Sequence, residues 1–231
     1  MATSVLSDDY LFALYETAFS SLIKYLPEKT STIVEIGAGD GVSRSFLPNS
    51  ILTDIVFNQE LDAICKSNEL PFKSDSVDAL VLKDSLHHLP DIEQFLYEAH
   101  RVLRIGGRIV IFEPYWGLLA NFVYRFLHQE RFDTSTKSWS FQSNSPWDSN
   151  QALSYLLLRR DRVRFEEFFP FFEICEHEVL IGPSFLLSGG VSRRTFVSGK
   201  FLKFLLKLEM HQSKWFDSLR FFHVFSLTKT H

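Results

Sequence analysis

"TIVEIGAGDGVSR", Thr32 to Arg44, sets three glycines within five positions directly behind an apolar run. Ile33, Val34 and Ile36 predict a buried strand over Ser31 to Ile36 that runs straight into the glycines. A strand, a tight glycine turn and the start of a helix together present backbone N–H groups and leave room for a ligand to approach the chain. A dinucleotide loop is spaced G-x-G-x-x-G/A. Here Gly37-Ala38-Gly39-Asp40-Gly41-Val42 puts Val42 where the third small residue belongs. Glu35 stands two residues before the first glycine, where a carboxylate repels a pyrophosphate and attracts an ammonium group. The loop therefore favours a ligand that carries an amine and no phosphate.

Outward from the loop, strands and helices alternate. "VSRSFL" (Val42 to Leu47) reads as a short helix closed by Pro48, and "SILTDI" (Ser50 to Ile55) as a second strand. "SVDALVLK" (Ser76 to Lys83) is a further apolar strand. In "DIEQFLYEAHRVLRIGG", Asp91 with Gln94 three residues on forms a capping box, and Ile92, Phe95, Leu96, Ala99, Val102 and Leu103 make one apolar stripe. Gly106 is expected to end that helix, and "RIVIFE" (Arg108 to Glu113) to be the next strand. Ahead of the loop, Leu11, Phe12, Tyr15, Ala18, Phe19, Leu22 and Ile23 predict a leading helix over about Asp8 to Tyr25. This rhythm predicts a parallel sheet covered on both faces, with its ligand at the carboxyl ends of the strands.

After Pro114 the rhythm breaks. Residues 115–165 are aromatic, polar and irregular, a length that suits a lid or a binding segment. Trp116, Tyr124, Phe126, Trp139, Phe141 and Trp147 are its aromatic candidates. β-like patterns return in "FEICEHEVLI" (Phe172 to Ile181) and "LRFFHVFSLTK" (Leu219 to Lys229). "KFLKFLLKL" between them reads as a core helix with Lys200, Lys203 and Lys207 on a wet face, and less well as a membrane-surface helix. Arg125, Arg131, Arg159 and Arg160 are available to an anionic substrate, or simply to water.

The 231 residues are expected to form a single domain, with 115–165 and 183–212 as cap segments. A net charge of −4 gives no general reason to expect nucleic acid, which would favour a basic face. Cys65 and Cys175 lie far apart with no metal-ligand spacing, so no metal site is expected and a reducing cytoplasm suits them. No run approaches the ~20 apolar residues of a membrane span, so no stable membrane insertion is expected.

On "VEIGAGDG", "LTDI", "LPF", "LHHLPD" and "RVLRIGGRIVI", taken in this order and register, the sequence resembles the class I S-adenosylmethionine-dependent methyltransferases of the small-molecule branch. The resemblance runs from about Ile33 to Glu113, a third of the chain. It implies an α/β, doubly wound, mainly parallel seven-stranded sheet whose last strand, here "LRFFHVFSLTK", is antiparallel, plus the aromatic-rich cap. It also implies S-adenosylmethionine as cofactor and a small-molecule acceptor, with oxygen as the expected acceptor atom. Gly37, Ala38, Gly39 and Gly41 would hold the methionine end with Glu35 behind them. Asp54, with Ile55 after it, would take the ribose, Ser67 and Asn68 would flank the adenine, and Asp84 and Ser85 would line the pocket. His87 and His88 are the candidates for a catalytic base, unless they only shape the pocket floor, and His128 is an alternative. The family commonly has an Asp-Ala pair four residues before "LPF" to accept from the adenine amino group. Lys66-Ser67 stands there instead, and Lys cannot accept a hydrogen bond. The contact would then fall to Asn68 or a backbone carbonyl. Only fifteen residues separate Asp54 from Leu70, so the third strand and its helix must be short or irregular. These departures support a rival reading, a binding or scaffold protein that keeps the fold without the catalysis.

Overall fold

A computed structural model describes residues 2–145, 147–190, 197–210 and 214–231 of the protein. Seven strands form one sheet: β1 (Ile33–Ile36), β2 (Ile51–Asp54), β3 (Ala63–Ile64), β4 (Val77–Lys83), β5 (Leu103–Pro114), β6 (Phe172–Leu180) and β7 (Phe222–Lys229). Their order is β3-β2-β1-β4-β5-β7-β6. The first five are parallel, and β7 runs antiparallel between β5 and β6. The antiparallel last strand expected from "LRFFHVFSLTK" is in place.

Side chains alternate across the sheet, as the two-residue period of a strand dictates. Leu80 and Leu82 of β4, Ile109 and Ile111 of β5, and Phe225 and Leu227 of β7 enter one core. Val81, Val110, Phe112 and Val224 from the same strands enter the other. The first core is closed by α3 (Ile92–Val102), α5 (Leu153–Tyr155), the π-helical Leu156–Arg160 and α6 (Arg162–Phe168). On the second face lie α1 (Ala2–Ser7), α2 (Asp9–Lys24), α4 (Leu118–Phe126), α7 (Pro183–Ser188) and α8 (Gly199–Met210). Asp8 caps α2, its carboxylate accepting from the Tyr10 and Leu11 amides. Asp91 caps α3 by accepting from Gln94 N at 3.0 Å, as the capping-box spacing predicts.

Two sequence expectations are corrected and a third, the compression after Asp54, holds. The helix after the glycines is one 3-10 turn, Val42–Ser45. No helix lies between β2 and β4, and β3 is two residues long, so the compression after Asp54 is real. Gly106 does not stop α3: the helix ends at Val102 and the chain passes directly into β5. Gly106 instead sits at φ 79° in a bulge, where the β4–β5 register jumps from Val77↔Leu103 to Ala79↔Arg108.

The cap is partly core. Trp139 is 1% exposed and packs with Phe165 and Phe169, its indole N–H donating to Asp161 at 2.9 Å. Tyr124 is buried and donates to Phe221 O, whereas Phe126 and Trp147 are exposed. On α8 only Leu202 and Leu206 are buried; Phe201, Phe204 and Leu208 share the surface with the lysines, so its outer face is not purely a lysine face. Within the second cap segment, 183–212, residues 191–196 and 211–212 lie outside the described residues. Among the described residues no helix is long and apolar enough to cross a membrane.

Candidate functional site

The site forms at the carboxyl ends of β1, β2, β4 and β5, where the sheet opens toward the glycine loop. Gly37, Gly39 and Gly41 hold φ values of 76°, 58° and 74°. The loop is folded back onto β2, because the Gly37 and Ala38 amides both donate to Thr53 O at 3.0 Å. A Cβ on Gly37 would meet Ser85 Cβ at 2.6 Å, and one on Gly41 would meet Glu60 Cβ at 2.5 Å. Gly37 and Gly41 therefore pack against the protein. Gly39 differs: its missing Cβ faces open space, with nothing within 4 Å. That is the position at which a ligand can reach the backbone.

Glu35 closes the floor. It is 3% exposed, and its Oε2 is buried with no hydrogen-bond partner. Burial raises its pKa from 4.5 to about 7, against the opposing pull of Ser43 and the Lys83 ammonium. A buried carboxylate oxygen without a partner costs free energy unless something occupies it. An ammonium group fits that demand. Lys83 does not meet it, since its ammonium is paired to Asp84 Oδ2 at 2.6 Å and lies 4.2 Å from the centre of the Tyr15 ring.

Asp54 ends β2 with both oxygens in use: Oδ2 accepts from Gly39 N at 2.8 Å, and Oδ1 accepts from Val56 N at 2.9 Å. It thus ties the loop tip to the strand, and each oxygen retains a second lone pair for a ribose hydroxyl. Asp84 sits at φ 51°, a left-handed conformation rare outside glycine, with its amide donating to Phe112 O. Ser85 packs under Gly37 and donates to Ile36 O at 2.8 Å.

Beyond Asp54, an open groove of about 510 Å³ is lined by Ile55, Ile64, Cys65, Lys66, Glu69, Leu70 and Pro71. Ser67 and Asn68, expected to flank an adenine, form the tip of a turn bracketed by the Lys66↔Glu69 bridge. The Asn68 amide donates to Gln94 Oε1 at 2.9 Å. Glu69, which sequence reasoning passed over, brings an acceptor into the groove beside Lys66.

At the other end of the site, His87 is 4% exposed between two carboxylates. Its Nδ1–H donates to Glu113 Oε2 at 2.5 Å, and its Nε2 lies 3.4 Å from Glu130 Oε2. Burial alone would disfavour its charge, but the Glu113 carboxylate, followed by Glu130, holds its pKa well above the ordinary value. Glu113 Oε1 also accepts from Leu86 N at 2.8 Å, which fixes the turn that carries both histidines. His88 is half-buried, with Nδ1 at 3.3 Å from Asp148 O, and burial and the neighbouring His87 lower its pKa. The His128 Nδ1 accepts from Glu130 N at 3.1 Å, and its ring packs edge-on to Tyr124. Glu113 and Glu130 escaped the sequence reading. Glu113 was visible only as the last residue of an apolar strand, and Glu130 lies forty-odd positions from the histidines it meets. The cap arginines are engaged within the protein: Arg159 grips Glu176, Arg160 pairs with Asp161, Arg131 with Asp133, and Arg125 bonds Asn121 and Thr134.

With this geometry in hand, comparison with known proteins is informative. Residues 34–111 match the family described as "Methyltransferase domain". A curated relative, the ubiquinone/menaquinone biosynthesis C-methyltransferase UbiE of Rhizobium rhizogenes, is 34% identical over 84 residues, which is 36% of this chain and 31% of that protein. The aligned part thus spans under a third of the relative's length. Among solved structures, the YcgJ protein from Bacillus subtilis aligns over 93% of this chain and 99% of its own, with a TM-score of 0.55 and 16% identity. A Thermotoga maritima protein, described as a SAM-dependent methyltransferase and possible histamine N-methyltransferase, aligns over 95% of this chain and 92% of its own, with a TM-score of 0.53 and 17% identity. The family match thus covers the strands that carry the glycine loop, and the structural matches extend the same fold over nearly the whole chain.

Proposed function

We propose that the protein binds S-adenosylmethionine and transfers its methyl group to a small or medium-sized acceptor, at carbon. The observation that carries the cofactor is Glu35 Oε2, buried and without a partner at the head of a glycine loop whose Gly39 faces open space. When bound, the cofactor supplies a methyl group already activated on a sulfonium. Glu35 would receive its ammonium, Asp54 its ribose, and the Ile55–Pro71 groove its adenine, with Glu69 supplying the acceptor that Lys66 cannot. The two cysteines, both free thiols, suit a cytoplasmic setting.

Carbon replaces the oxygen expected from the sequence because the matched curated relatives are named as C-methyltransferases. Transfer to carbon needs an acceptor carbon made electron-rich by a neighbouring enolate or phenolate oxygen. It also needs alignment and exclusion of water, which the buried turn over Leu86–His88 and the cap favour. His87 has carboxylates at both nitrogens, so His88 is the imidazole left to meet an acceptor.

Calorimetry with S-adenosylmethionine and its demethylated product, on wild type and Glu35→Gln, tests the cofactor site. Micromolar binding by the wild type and at least tenfold weaker binding by the variant are expected; no wild-type binding at millimolar ligand overturns the reading. Turnover of 13C-methyl-labelled cofactor with a panel of phenols and 1,3-dicarbonyl compounds then reads the acceptor atom from the chemical shift of the transferred carbon. A methyl found on oxygen refutes carbon transfer. Binding without transfer to any acceptor would favour the scaffold reading.

A further inference from the structure

His87, His88 and Glu130 bring one donor atom each to within 4.8 Å of one another, and neither the family match nor the sequence spacing assigns them a ligand. We propose that this trio is a binding site for one divalent transition-metal ion, held by His87 Nε2, His88 Nε2 and a Glu130 carboxylate oxygen. The spacing fits: His87 Nε2 and Glu130 Oε2 are 3.4 Å apart. Two ligands about 2.0–2.1 Å from a tetrahedrally coordinated ion are separated by roughly that distance.

The surroundings orient each donor. A metal-ligating histidine usually donates its other ring N–H to a carboxylate or carbonyl, which fixes the tautomer and aims the ligating nitrogen. Both histidines have such a partner. His87 Nδ1 is held by Glu113 Oε2 at 2.5 Å, and His88 Nδ1 faces Asp148 O at 3.3 Å. Glu130 Oε2 is held in turn by Ser149 Oγ at 3.1 Å and Gln151 Nε2 at 3.0 Å, while Asn150 N donates to His87 O at 2.9 Å. A single strip of chain, 148–151, therefore braces all three ligands. The Gln151 amide that holds Glu130 leaves its own Oε1 buried without a partner, an acceptor available to a metal-bound water.

Two imidazoles and one carboxylate suit Fe(II), Co(II), Mn(II) or Zn(II), and suit Mg(II), which prefers all-oxygen shells, poorly. Three protein ligands leave positions open for water or an acceptor oxygen, which the ion would polarise as a Lewis acid. The ion would also take His88 out of service as a base, so the two roles exclude each other. The site does not rest on methyl transfer, and its test needs none.

Tag-free, full-length protein stripped with chelator is titrated with Co(II), by calorimetry and by visible absorption, without S-adenosylmethionine. The expectation is one equivalent bound at micromolar or lower Kd, with a Co(II) ligand-field spectrum that Zn(II) abolishes. His88→Ala and Glu130→Gln should each weaken binding at least tenfold, and Gln151→Ala, which removes the brace on Glu130 and the acceptor for a metal-bound water, by about tenfold. Thermal melts of each variant show whether the fold persists; if one variant fails to fold, the other two still decide. Absence of stoichiometric binding by the wild type at about 100 μM Co(II), roughly a hundredfold above the micromolar Kd expected, overturns the proposal. Binding that survives intact in both His88→Ala and Glu130→Gln overturns it equally, and leaves His87 an imidazolium bridged by two carboxylates.

Discussion

Glu35 shows what one residue asks of its surroundings. Its place was legible in the sequence, because a carboxylate two positions before a glycine turn can only end a strand beside the loop. Its burial was not legible, since that depends on α2, Ser43 and Lys83 closing over it. Between 4.5 and about 7 the folded chain holds a proton on Glu35 that the unfolded chain has lost. This group's effect therefore erodes stability as pH rises through that window, and the full penalty persists above it. At ~1.4 kcal/mol per pKa unit the penalty is about 3 kcal/mol. Glu35→Gln should gain stability relative to wild type, by about that amount, between pH 4.5 and pH 8 in denaturant titrations of the empty protein. A constant difference across that range would show that burial does not perturb the carboxyl. Cofactor binding should move the opposite way. Below about 7 the wild-type carboxyl must release a proton to meet an ammonium, so affinity should weaken by up to tenfold per pH unit on acidification. Calorimetry in buffers of different ionisation enthalpy reads that proton directly. Glu113 makes the complementary case. Replacing it with Ala strips His87 Nδ1 and Leu86 N of their buried acceptor, and should cost about 3–5 kcal/mol.

At the scale of elements, the sequence spoke clearly where its pattern was periodic. The α3 stripe, its cap at Asp91, and strands β1 and β4 all appear within a residue or two of where the pattern puts them, whereas β5 starts at Leu103, five residues before the expected Arg108, because Gly106 reads alike as a helix stop and as a strand irregularity. The stretch after Pro114 was opaque for a physical reason. Its buried residues reach the core singly, Trp139 from an irregular segment and Leu153 to Leu158 from a helix that widens into π geometry, so no period betrays them. The segment is thus neither all lid nor all core. Trp139→Ala should cost about 3–5 kcal/mol, because it empties a volume bounded by Phe165 and Phe169 and leaves Asp161 without its indole donor. Hydrogen exchange should divide the cap accordingly. Residues 153–168 should be protected throughout, whereas 142–145, held mainly by short-range turns, should exchange fast and slow down when the demethylated cofactor is bound. Equal protection of both stretches in both states would make the whole cap core and remove any gating role.

Across the whole molecule, the parallel sheet separates function from anchorage. The candidate site groups stand at the carboxyl ends of β1, β2, β4 and β5. At the opposite end, β7 delivers Lys229, because an antiparallel strand finishes where its neighbours begin. Lys229 is buried, and its ammonium donates to Asp75 Oδ1 at 2.7 Å, His100 O at 2.8 Å and Leu103 O at 2.9 Å. It therefore fastens the last strand to the end of α3, the start of β5 and the turn before β4. Lys229→Met keeps most of the apolar stem but leaves two backbone carbonyls without this charged donor. Hydrogen bonds to charged groups are worth about 1.5–3 kcal/mol each, and water can reach the exposed Asp75, so a loss of about 2–4 kcal/mol is expected. Because the change sits a full strand length from the glycine loop, the affinity for S-adenosylmethionine should stay within about twofold of wild type, as independent distant sites do. Glu35→Gln should show the reverse pattern, with lost affinity and no loss of stability at pH 8. Denaturant titration and calorimetry on the two single variants and their double variant measure both quantities. Additive effects would establish that the two ends of the sheet act independently. A Lys229→Met protein that also loses its cofactor would mean instead that the last strand transmits its anchorage through β5 to Glu113 and the histidine turn.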